Sequence, residues 1–275
     1  MKLSNRLNFP LISMAKILEG KKLSLSLAKR LADKVKRLKI KPKLVIIQIG
    51  NLEESNTYIK NKKNFAEKIG VLVEHKIYPQ SVKEAQIIKD ISRYNKDSSI
   101  HGIMVQLPGP KNFNVKEVLN TIDYKKDVDG LRGGFIPATA LGAIALLDQY
   151  KIQISGKKVV VVGSSNLVGK PLALALVDRG ATVTICHKDT KNLPEETRRA
   201  DILISAVGLP KLITLKHVSK NQTVIDIGIT VTKDGKVVGD VDFKKVSKIV
   251  RAITPVPGGV GPMTVASLFQ NLLKA

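Results

Sequence analysis

Tyr58 and Lys62 are the first residues in the chain whose types and spacing could do chemistry, within the segment Tyr-Ile-Lys-Asn-Lys. Positions i and i+4 of a helix share a face, so the two side chains would project together. A tyrosine ring can stack on a flat heterocycle, and a lysine amine beside it can move protons. The alternative is an ordinary surface pair, which the spacing alone favours. We expect Ser55 and Asn56 to cap this helix.

A second set of polar residues follows a buried strand. Gln106 lies at the carboxyl end of Gly-Ile-Met-Val-Gln-Leu-Pro, where a buried amide must find a partner or reduce stability. A ligand and a neighbouring loop are equally good partners on the sequence alone. The turn Lys-Asp-Val-Asp-Gly (126–130) offers two carboxylates. No further acidic or histidine cluster supports a metal, so we predict none and expect a carboxylate to contact ring nitrogens or an amino group of a substrate.

A third signature is a strand that ends in glycine and leads into a helix, Val-Val-Val-Val-Gly-Ser-Ser-Asn-Leu-Val-Gly-Lys-Pro (159–171). Such a turn usually binds the pyrophosphate of a dinucleotide, because N–H groups at a helix start point at the ligand. The spacing from Gly163 to Gly169 differs from the G-x-G-x-x-G fingerprint, and no acidic residue ends the next strand. The loop predicts a nucleotide site whose phosphate preference is open.

The segment 254–264 combines three prolines and three glycines in Thr-Pro-Val-Pro-Gly-Gly-Val-Gly-Pro-Met-Thr. A plain turn does not need that density. We therefore expect its backbone amides to line a ligand, and Gly261 and Pro262 to set the start of the final helix.

The elements that must position these residues alternate between apolar runs and helical periodicity. Strands are predicted at 44–49, 71–77, 100–107, 159–162, 181–186, 202–206 and 223–227, and helices at 57–69, 82–94, from Gly169 to 179, and at 262–274. This alternation predicts an α/β fold in which parallel sheets are covered by helices. Two such series indicate two α/β domains joined near 139–150. The final helix, with Val265, Leu268, Phe269 and Leu272 on one face, should pack back on the first domain.

The composition limits the class of protein. Forty-six Lys and Arg against 23 Asp and Glu give a formal charge of +23, which would suit a nucleic-acid binder. The lysines are spread over nearly every predicted helix and there is no Trp, so a nucleic-acid partner is disfavoured against a lysine-rich surface or attraction of small polyanions. No run is long enough to span a membrane, and the single Cys186 fits a reducing cytoplasm.

Together these motifs resemble the bifunctional methylenetetrahydrofolate dehydrogenase/methenyltetrahydrofolate cyclohydrolase family. The resemblance covers nearly all of the chain from Met14 onward, and the Pro-Val-Pro-Gly-Gly-Val-Gly-Pro-Met-Thr block is its most specific part. It implies oxidation of 5,10-methylenetetrahydrofolate by a nicotinamide cofactor and hydrolysis of the methenyl product to 10-formyltetrahydrofolate. It also implies a cleft between two α/β domains, a Rossmann-type C-terminal domain with a mostly parallel sheet, and a homodimer built through that domain.

The resemblance implies domain boundaries and residue roles. Residues 1–13 would be an N-terminal extension, 14–140 with 262–275 the folate-binding catalytic domain, and 141–261 the NAD(P)-binding domain. Lys62 would be the catalytic lysine of hydrolysis, tuned by Gln106, while Tyr58 would stack on the pterin and Asp129 would hold its nitrogens. The folate site would comprise Tyr58, Leu107, Pro108, Asp129, Pro257, Gly258, Gly259 and Val260. The cofactor site would comprise Gly163, Ser164, Ser165, Val168, Gly169, His187, Lys188, Ala206, Gly208 and Ile229.

Departures from the family pattern leave some properties open. Only residues 131–136 separate the Asp-Val-Asp-Gly turn from Pro-Ala-Thr-Ala (137–140), where the family has a longer loop and Pro-Cys-Thr-Pro. The family arginine that grips the 2′-phosphate of NADP is Ser164 here, which favours NAD. Lys188, at the end of the next strand, supplies a cation that could reach that phosphate, and it decides our prediction for NADP over NAD.

Two other functions compete with the bifunctional enzyme. One is a variant that keeps a single activity because of the shortened loop, and the other is a non-catalytic, basic, nucleotide-binding Rossmann protein. A mere binder would not need Lys62, Gln106 and Asp129 together, which favours the enzyme. The expected partners are a folate substrate, with or without a polyglutamate tail, and a second copy of the chain.

Overall fold

Two parallel β-sheets organise the protein in this computed structural model, which describes residues 14–110, 113–232 and 234–275. The extension predicted at 1–13 lies outside the described residues. The strands, in chain order, are β1 (Lys16–Ile17), β2 (Lys43–Ile49), β3 (Leu72–Tyr78), β4 (Gly102–Gln106), β5 (Lys158–Val162), β6 (Thr182–Cys186), β7 (Ile202–Ser205), β8 (Thr223–Asp226), β9 (Thr230–Val231), β10 (Val237–Val238) and β11 (Ala252–Ile253). The α/β fold predicted from the sequence is confirmed.

The helices alternate with these strands. In chain order they are α1 (Gly20–Lys36), α2 (Glu53–Ile69), α3 (Glu84–Lys96), α4 (Val115–Thr121), α5 (Ala138–Gln149), α6 (Gly169–Val177), α7 (Leu193–Arg198), α8 (Phe243–Val246) and α9 (Val260–Leu272), with a 3-10 turn at Leu215–His217. Parallel neighbours need crossover connections, and these helices supply them.

The smaller sheet has the strand order β3-β2-β4, with all pairs parallel. The central strand β2 is buried from Leu44 to Ile49, as a β-branched apolar run in a covered sheet should be. The chain leaves β2 toward β3 on one side and returns to β4 on the other. The carboxyl ends of β2 and β4 therefore flank a topological switch point, the place where open α/β sheets bind ligands.

The larger sheet has the order β1-β11-β8-β7-β5-β6, and its pairs are also parallel. From β5 the chain crosses through α6 to β6 on one side, and then reaches β7 on the other side of β5. This is a second switch point, between β5 and β7. The first strand, β1, pairs with β11 at the far edge of this sheet, although the helix that follows it packs elsewhere.

The last helix, α9, packs against α1, α2 and α5. Its predicted apolar face is buried at Val265, Leu268, Phe269 and Leu272, and the ring of Phe269 stacks on Phe65 of α2 at 5.3 Å between centroids. The expectation that this helix returns to the first part of the chain is confirmed. The segment 139–150, predicted as the join between the domains, is mostly the apolar helix α5.

Two predicted helix starts are wrong. Helix α2 begins at Glu53, so Ser55 and Asn56 lie inside its first turn and do not cap it. Asn56 accepts a hydrogen bond from Gln48 Nε2 at 2.8 Å instead. The acidic Glu53 at the helix start suits the positive end of the helix dipole. Helix α9 begins at Val260, with Gly259 as its N-cap, so Pro262 falls within the first turn, where its missing N–H costs nothing.

Candidate active site

Lys62 and Gln106 meet at the carboxyl end of β4. The Lys62 ammonium donates to Gln106 Oε1 at 2.7 Å, and the Gln106 amide donates to the carbonyl of Leu107 at 2.8 Å. Each residue is only 8% exposed. The bond to Leu107 sets the orientation of the amide, so that its oxygen faces the lysine. The partner of Gln106, which the sequence left open, is thus both a lysine and its own loop.

Burial and the Asp129 carboxylate shift the pKa of Lys62 in opposite directions. Burial lowers the pKa of the Lys62 amine from its usual 10.5, and the negative charge of Asp129 partly offsets this. Burial raises the pKa of Asp129, and Lys62 partly offsets that shift. Each group is therefore easier to neutralise than it would be in water. A lysine in this state can exchange a proton with a bound molecule.

Tyr58 lies one turn before Lys62 on α2, and both side chains line the same cavity. The Lys62 ammonium lies 5.9 Å from the centroid of the tyrosine ring. The i and i+4 spacing thus places the ring and the amine side by side on a cavity wall.

The turn at 126–130 separates its two carboxylates. Asp127 is 1% exposed and accepts a hydrogen bond from the Arg132 N–H at 2.6 Å. Burial raises the pKa of Asp127 to about 6. Asp129 instead lines the cavity. One carboxylate builds the turn, and the other faces the space where a ligand would bind.

Helix α9 holds both ends of the loop that carries Asp129. The buried Asn271 amide donates to the carbonyls of Val128 and Ile136, both at 3.0 Å. The N–H of Ala138 donates to the carbonyl of Asp129 at 3.1 Å. The short connector 131–136 is therefore closed at its base by a side chain from the far end of the described chain.

These side chains share a cavity of about 340 Å³ between the two sheets. Of the residues predicted for the folate and cofactor sites, it is lined by Tyr58, Lys62, Gln106, Leu107, Asp129, Val168, Ile229 and Val260. The other predicted residues lie outside this lining: Pro108, Pro257, Gly258, Gly259, Gly163, Ser164, Ser165, Gly169, His187, Lys188, Ala206 and Gly208. Lining residues that were not predicted are Met104, Val105, Leu131, Pro137, Ala138, Thr139, Leu167, Ile227, Gly261, Thr264, Val265 and Leu268.

The glycines of the loop after β5 are required by close backbone contacts. A Cβ on Gly163, whose φ is +119°, would overlap the carbonyl of Ala206. A Cβ on Gly169 would overlap the carbonyl of Gly163. The Ser165 hydroxyl accepts hydrogen bonds from Val168 N at 3.1 Å and Gly169 N at 3.4 Å. The loop is thus pressed against the β7 loop at the switch point between β5 and β7, which fits a dinucleotide cradle.

The turn after β6, residues 187–189, is exposed. The ring Nδ1 of His187 accepts a hydrogen bond from the backbone N–H of Asp189 at 3.3 Å. The backbone N–H of His187 donates to Thr190 Oγ1 at 2.8 Å. Lys188 is exposed, and no described residue gives its ammonium a hydrogen bond or an ion pair. The turn therefore presents one lysine whose charge is available to a ligand or to solvent.

The Pro-Gly segment before α9 supports the fold as well as the cavity. The carbonyl of Gly258 accepts hydrogen bonds from Gly20 N and Lys21 N at 2.9 Å each, which seats the start of α1. The N–H of Gly259 donates to Pro255 O at 2.9 Å. The Gly259 N–H is therefore engaged within its own segment, and the expectation that the amides of this segment line a ligand stays a prediction. Val260 is the first residue after it that lines the cavity.

The described ranges hold neither a metal-binding cluster nor a helix suited to span a membrane. Among residues 14–110, 113–232 and 234–275, no three His, Cys, Asp or Glu side chains are grouped so that they could hold a metal ion. No helix in the same ranges is both long and apolar enough to cross a bilayer.

Family models match both parts of the chain. The model of the tetrahydrofolate dehydrogenase/cyclohydrolase catalytic domain matches residues 18–129, and that of the NAD(P)-binding domain of the same family matches residues 137–275. The bifunctional protein FolD of Nautilia profundicola is 44% identical over 273 residues, which cover 94% of this chain and 96% of the relative.

Solved structures agree. The bifunctional FolD methylenetetrahydrofolate dehydrogenase/cyclohydrolase of Campylobacter jejuni is 40% identical, with a TM-score of 0.91 over 94% of this chain and 98% of that one. The methylenetetrahydrofolate dehydrogenase-cyclohydrolase of Trypanosoma brucei, solved with NADP and an inhibitor, is 32% identical, with a TM-score of 0.90 over 94% and 96% of the two chains.

Proposed function

Because this chain belongs to the tetrahydrofolate dehydrogenase/cyclohydrolase family, we propose that it oxidises 5,10-methylenetetrahydrofolate with NADP and hydrolyses the product to 10-formyltetrahydrofolate. The observation that carries the proposal is the buried Lys62–Gln106 pair facing the same cavity as Asp129. A nucleotide-binding protein without turnover has no use for a lysine held in this way.

Lys62 handles the proton in hydrolysis. Water adds to the methenyl carbon of a cationic substrate, the C=N π pair moves to nitrogen, and the attacking water must lose a proton. Cleavage of the bond from this carbon to N5 then leaves the formyl group on N10 and a proton on N5. The neutral Lys62 amine accepts it, and burial lowers the pKa of that amine toward the range where the neutral form is populated. Gln106 keeps the amine at the cavity wall through its 2.7 Å hydrogen bond. Lys62 and Gln106 thus contribute proton transfer and positioning to the hydrolysis.

Tyr58 and Asp129 orient the folate. The tyrosine ring offers an apolar face to the pterin, and the Asp129 carboxylate accepts hydrogen bonds from its amino group and ring nitrogen. Leu107 and Val260 line the same cavity and complete the apolar wall. Pro108, Pro257, Gly258 and Gly259 set the backbone behind that wall.

The residues around the β5–β7 switch point fit NADP. The close backbone contacts of Gly163 and Gly169 leave no room for side chains, and a Cβ on Gly208 would meet nothing nearer than the Ile229 carbonyl at 4.0 Å. This open cradle takes the dinucleotide, which accepts the hydride when it is bound. Ser164, Ser165, Val168, Ala206 and Ile229 flank it.

The exposed turn after β6 selects NADP over NAD. His187 and Lys188 lie at the end of the second strand of the Rossmann-type sheet, where the adenosine ribose is expected. The free charge of Lys188 then meets the 2′-phosphate, in place of the arginine that Ser164 replaces.

A homodimer completes the proposed assembly. Strand β6 is the edge of the larger sheet, and Leu174 and Val177 of α6, beside it, are 66% and 52% exposed. An unpaired edge next to exposed leucine and valine side chains favours burial against a second copy. We also infer a cytoplasmic location from the lone thiol, and a polyglutamylated folate as substrate from the positive charge of the chain.

One assay tests the enzymatic proposal. Purified protein, methylenetetrahydrofolate and NADP should yield NADPH, and chromatography should detect 10-formyltetrahydrofolate. NADPH without the formyl product, or the formyl product from methenyltetrahydrofolate without dehydrogenation, would identify a monofunctional variant. Folded protein that binds NADP but forms neither product would be a non-catalytic binder, and the proposal would fail.

A further inference from the structure

Asp240 lies outside the cavity lining and is fully buried, at 0% exposure. Its carboxylate accepts three hydrogen bonds of 2.8 Å each, from Ser205 Oγ, Val207 N and Leu209 N. All three donors belong to the end of β7 or to the loop that follows it. One side chain thus binds the whole start of the β7 loop.

A second buried carboxylate holds Asp240 in turn. Asp226, at the end of β8 and 3% exposed, accepts hydrogen bonds from the backbone N–H groups of Gly228, Asp240 and Val241 at 3.1, 3.0 and 2.9 Å. Burial raises the pKa of Asp226 to about 7, and the charge of Asp240 adds to that shift. The two aspartates thus connect the end of β8 to the β7 loop through hydrogen bonds.

Two glycines make room for these carboxylates. A Cβ on Gly228 would overlap the carboxylate of Asp240, and a Cβ on Gly239 would overlap that of Asp226. The two carboxylates therefore occupy space that any other residue at those positions would fill.

The β7 loop has little apolar packing to hold it. Val207 and Leu209 are 39% and 55% exposed, and Gly208 has a φ of +78°. The loop nevertheless forms one wall of the switch point, because the carbonyl of Ala206 touches the backbone of Gly163. The N–H of Ala206 donates to the Val162 carbonyl at 2.8 Å and Thr230 Oγ1 donates to the Gly208 carbonyl at 3.1 Å, but the N–H groups of Val207 and Leu209 both depend on Asp240.

We propose that Asp240 is a positioning residue for the cofactor: it fixes the loop 206–209 against the Gly163 loop so that the cradle exists before NADP binds. The inference rests on the proposed function. Only a carboxylate offers acceptors on both oxygens to two N–H groups and a hydroxyl. Asparagine would turn an NH₂ group toward one of those donors. Preorganisation of the loop is then lost, and NADP must order the loop as it binds.

The test is Asp240→Asn, with Asp242→Asn as the matched control. Asp242 is two residues away, and its carboxylate lies 3.5 Å from the exposed Lys245 ammonium, away from the β7 loop. Asp240→Asn should raise the KM and the Kd for NADP by about tenfold or more. Cyclohydrolase activity on methenyltetrahydrofolate, measured without NADP, should stay within about twofold of the parent because it uses the folate wall alone.

Ser205→Ala is a milder variant that removes one of the three donors and keeps the carboxylate. It should raise the KM for NADP by a smaller factor and leave hydrolysis intact. The inference is overturned if Asp240→Asn leaves NADP affinity unchanged. It is also overturned if Asp240→Asn lowers both activities equally while Ser205→Ala changes neither, since Asp240 would then support only the fold. Failure of the proposed function is separate, because it would show as missing activities in the parent protein.

Discussion

The ammonium of Lys62 lies where water solvates it poorly, and Gln106 offers it a hydrogen-bond acceptor without a full charge. Replacement by methionine keeps the length of the side chain and removes the amine. Lys62→Met should therefore lower the cyclohydrolase rate by about a hundredfold or more, while folate binding, measured by fluorescence quenching, persists. Lys60→Met, on the exposed face of the same helix, is the control. A cyclohydrolase rate in Lys62→Met equal to that of the parent protein would refute the catalytic role of Lys62.

The pH dependence of hydrolysis follows from the same burial. The neutral amine is the active form, and it accumulates as pH rises through the Lys62 pKa, which burial places below 10.5. The cyclohydrolase rate should accordingly climb with pH, and the midpoint of this rise should lie below pH 10.5. The pH profile of the residual cyclohydrolase activity of Lys62→Met should lack this rise. A rise that persists in this variant would show that another group titrates.

Lys188 carries the prediction on cofactor choice. Lys188→Ala should weaken the use of NADP by about 1–2 kcal/mol, as for loss of a charged hydrogen bond, and leave NAD nearly unchanged. The ratio of kcat/KM for the two cofactors measures this effect. Lys191→Ala, at a nearby exposed lysine, should leave the ratio as it is. An unchanged ratio in Lys188→Ala would show that this residue does not contact the phosphate.

Residue types at element ends were easier to predict than the lining of the cavity. Gln106 could be selected because a polar group in a buried strand needs a partner, and the turn 126–130 because it offers two carboxylates. The roles of Asp127 and Asp129 could not be separated, since the turn that directs one into the protein and the other toward the cavity depends on the Arg132 backbone. The positions of Met104 and Thr264 in the cavity lining could not be predicted. An apolar or small side chain produces the same sequence pattern whether it faces a core or a cavity.

Helix α9 closes the loop of Asp129 through one amide, which predicts a stability effect. Asn271→Leu keeps the size of the side chain but leaves the carbonyls of Val128 and Ile136 without their donors. The free energy of unfolding in urea should fall by about 1–3 kcal/mol, the cost of one unsatisfied buried acceptor, with a smaller addition from the part-buried Ile136 carbonyl. The KM for folate should rise as the Asp129 turn loosens. Asn64→Leu, on an exposed position of α2, should change neither quantity, and an equally stable Asn271→Leu would contradict the clamp.

Element types followed from periodicity, whereas element ends did not. Strands such as β2 and β5 were predictable because β-branched runs in a parallel sheet are buried on both faces. The starts of α2 and α9 were missed because the local sequence favoured capping by Ser55 and a start at Pro262, whereas the helices begin earlier, at Glu53 and Val260. The two-residue strands β1 and β11 were beyond prediction, since each exists only through its pairing with the other parts of the sheet.

The assembly of the whole molecule is tested at the edge beside β6. Leu174→Glu places a charge on the surface that the proposed dimer buries, so light scattering after gel filtration should show a dimer for the parent and a monomer for the variant. Leu38→Glu, at an exposed leucine after α1, is the matched control and should remain dimeric. A monomeric parent, or a dimeric Leu174→Glu, would rule out this interface.

The return of α9 to α1, α2 and α5 has a consequence for how the protein is made. A ribosome releases the amino-terminal helices first, but their shared core stays open until Val260–Leu272 has left the exit tunnel. Strand β1 likewise waits for β11 before it has a neighbour. During most of its synthesis the nascent chain therefore exposes apolar helix faces that are prone to aggregation. Because the amino-terminal elements pack against α9 and β11, they fold late. Both halves of the molecule then reach the native state together.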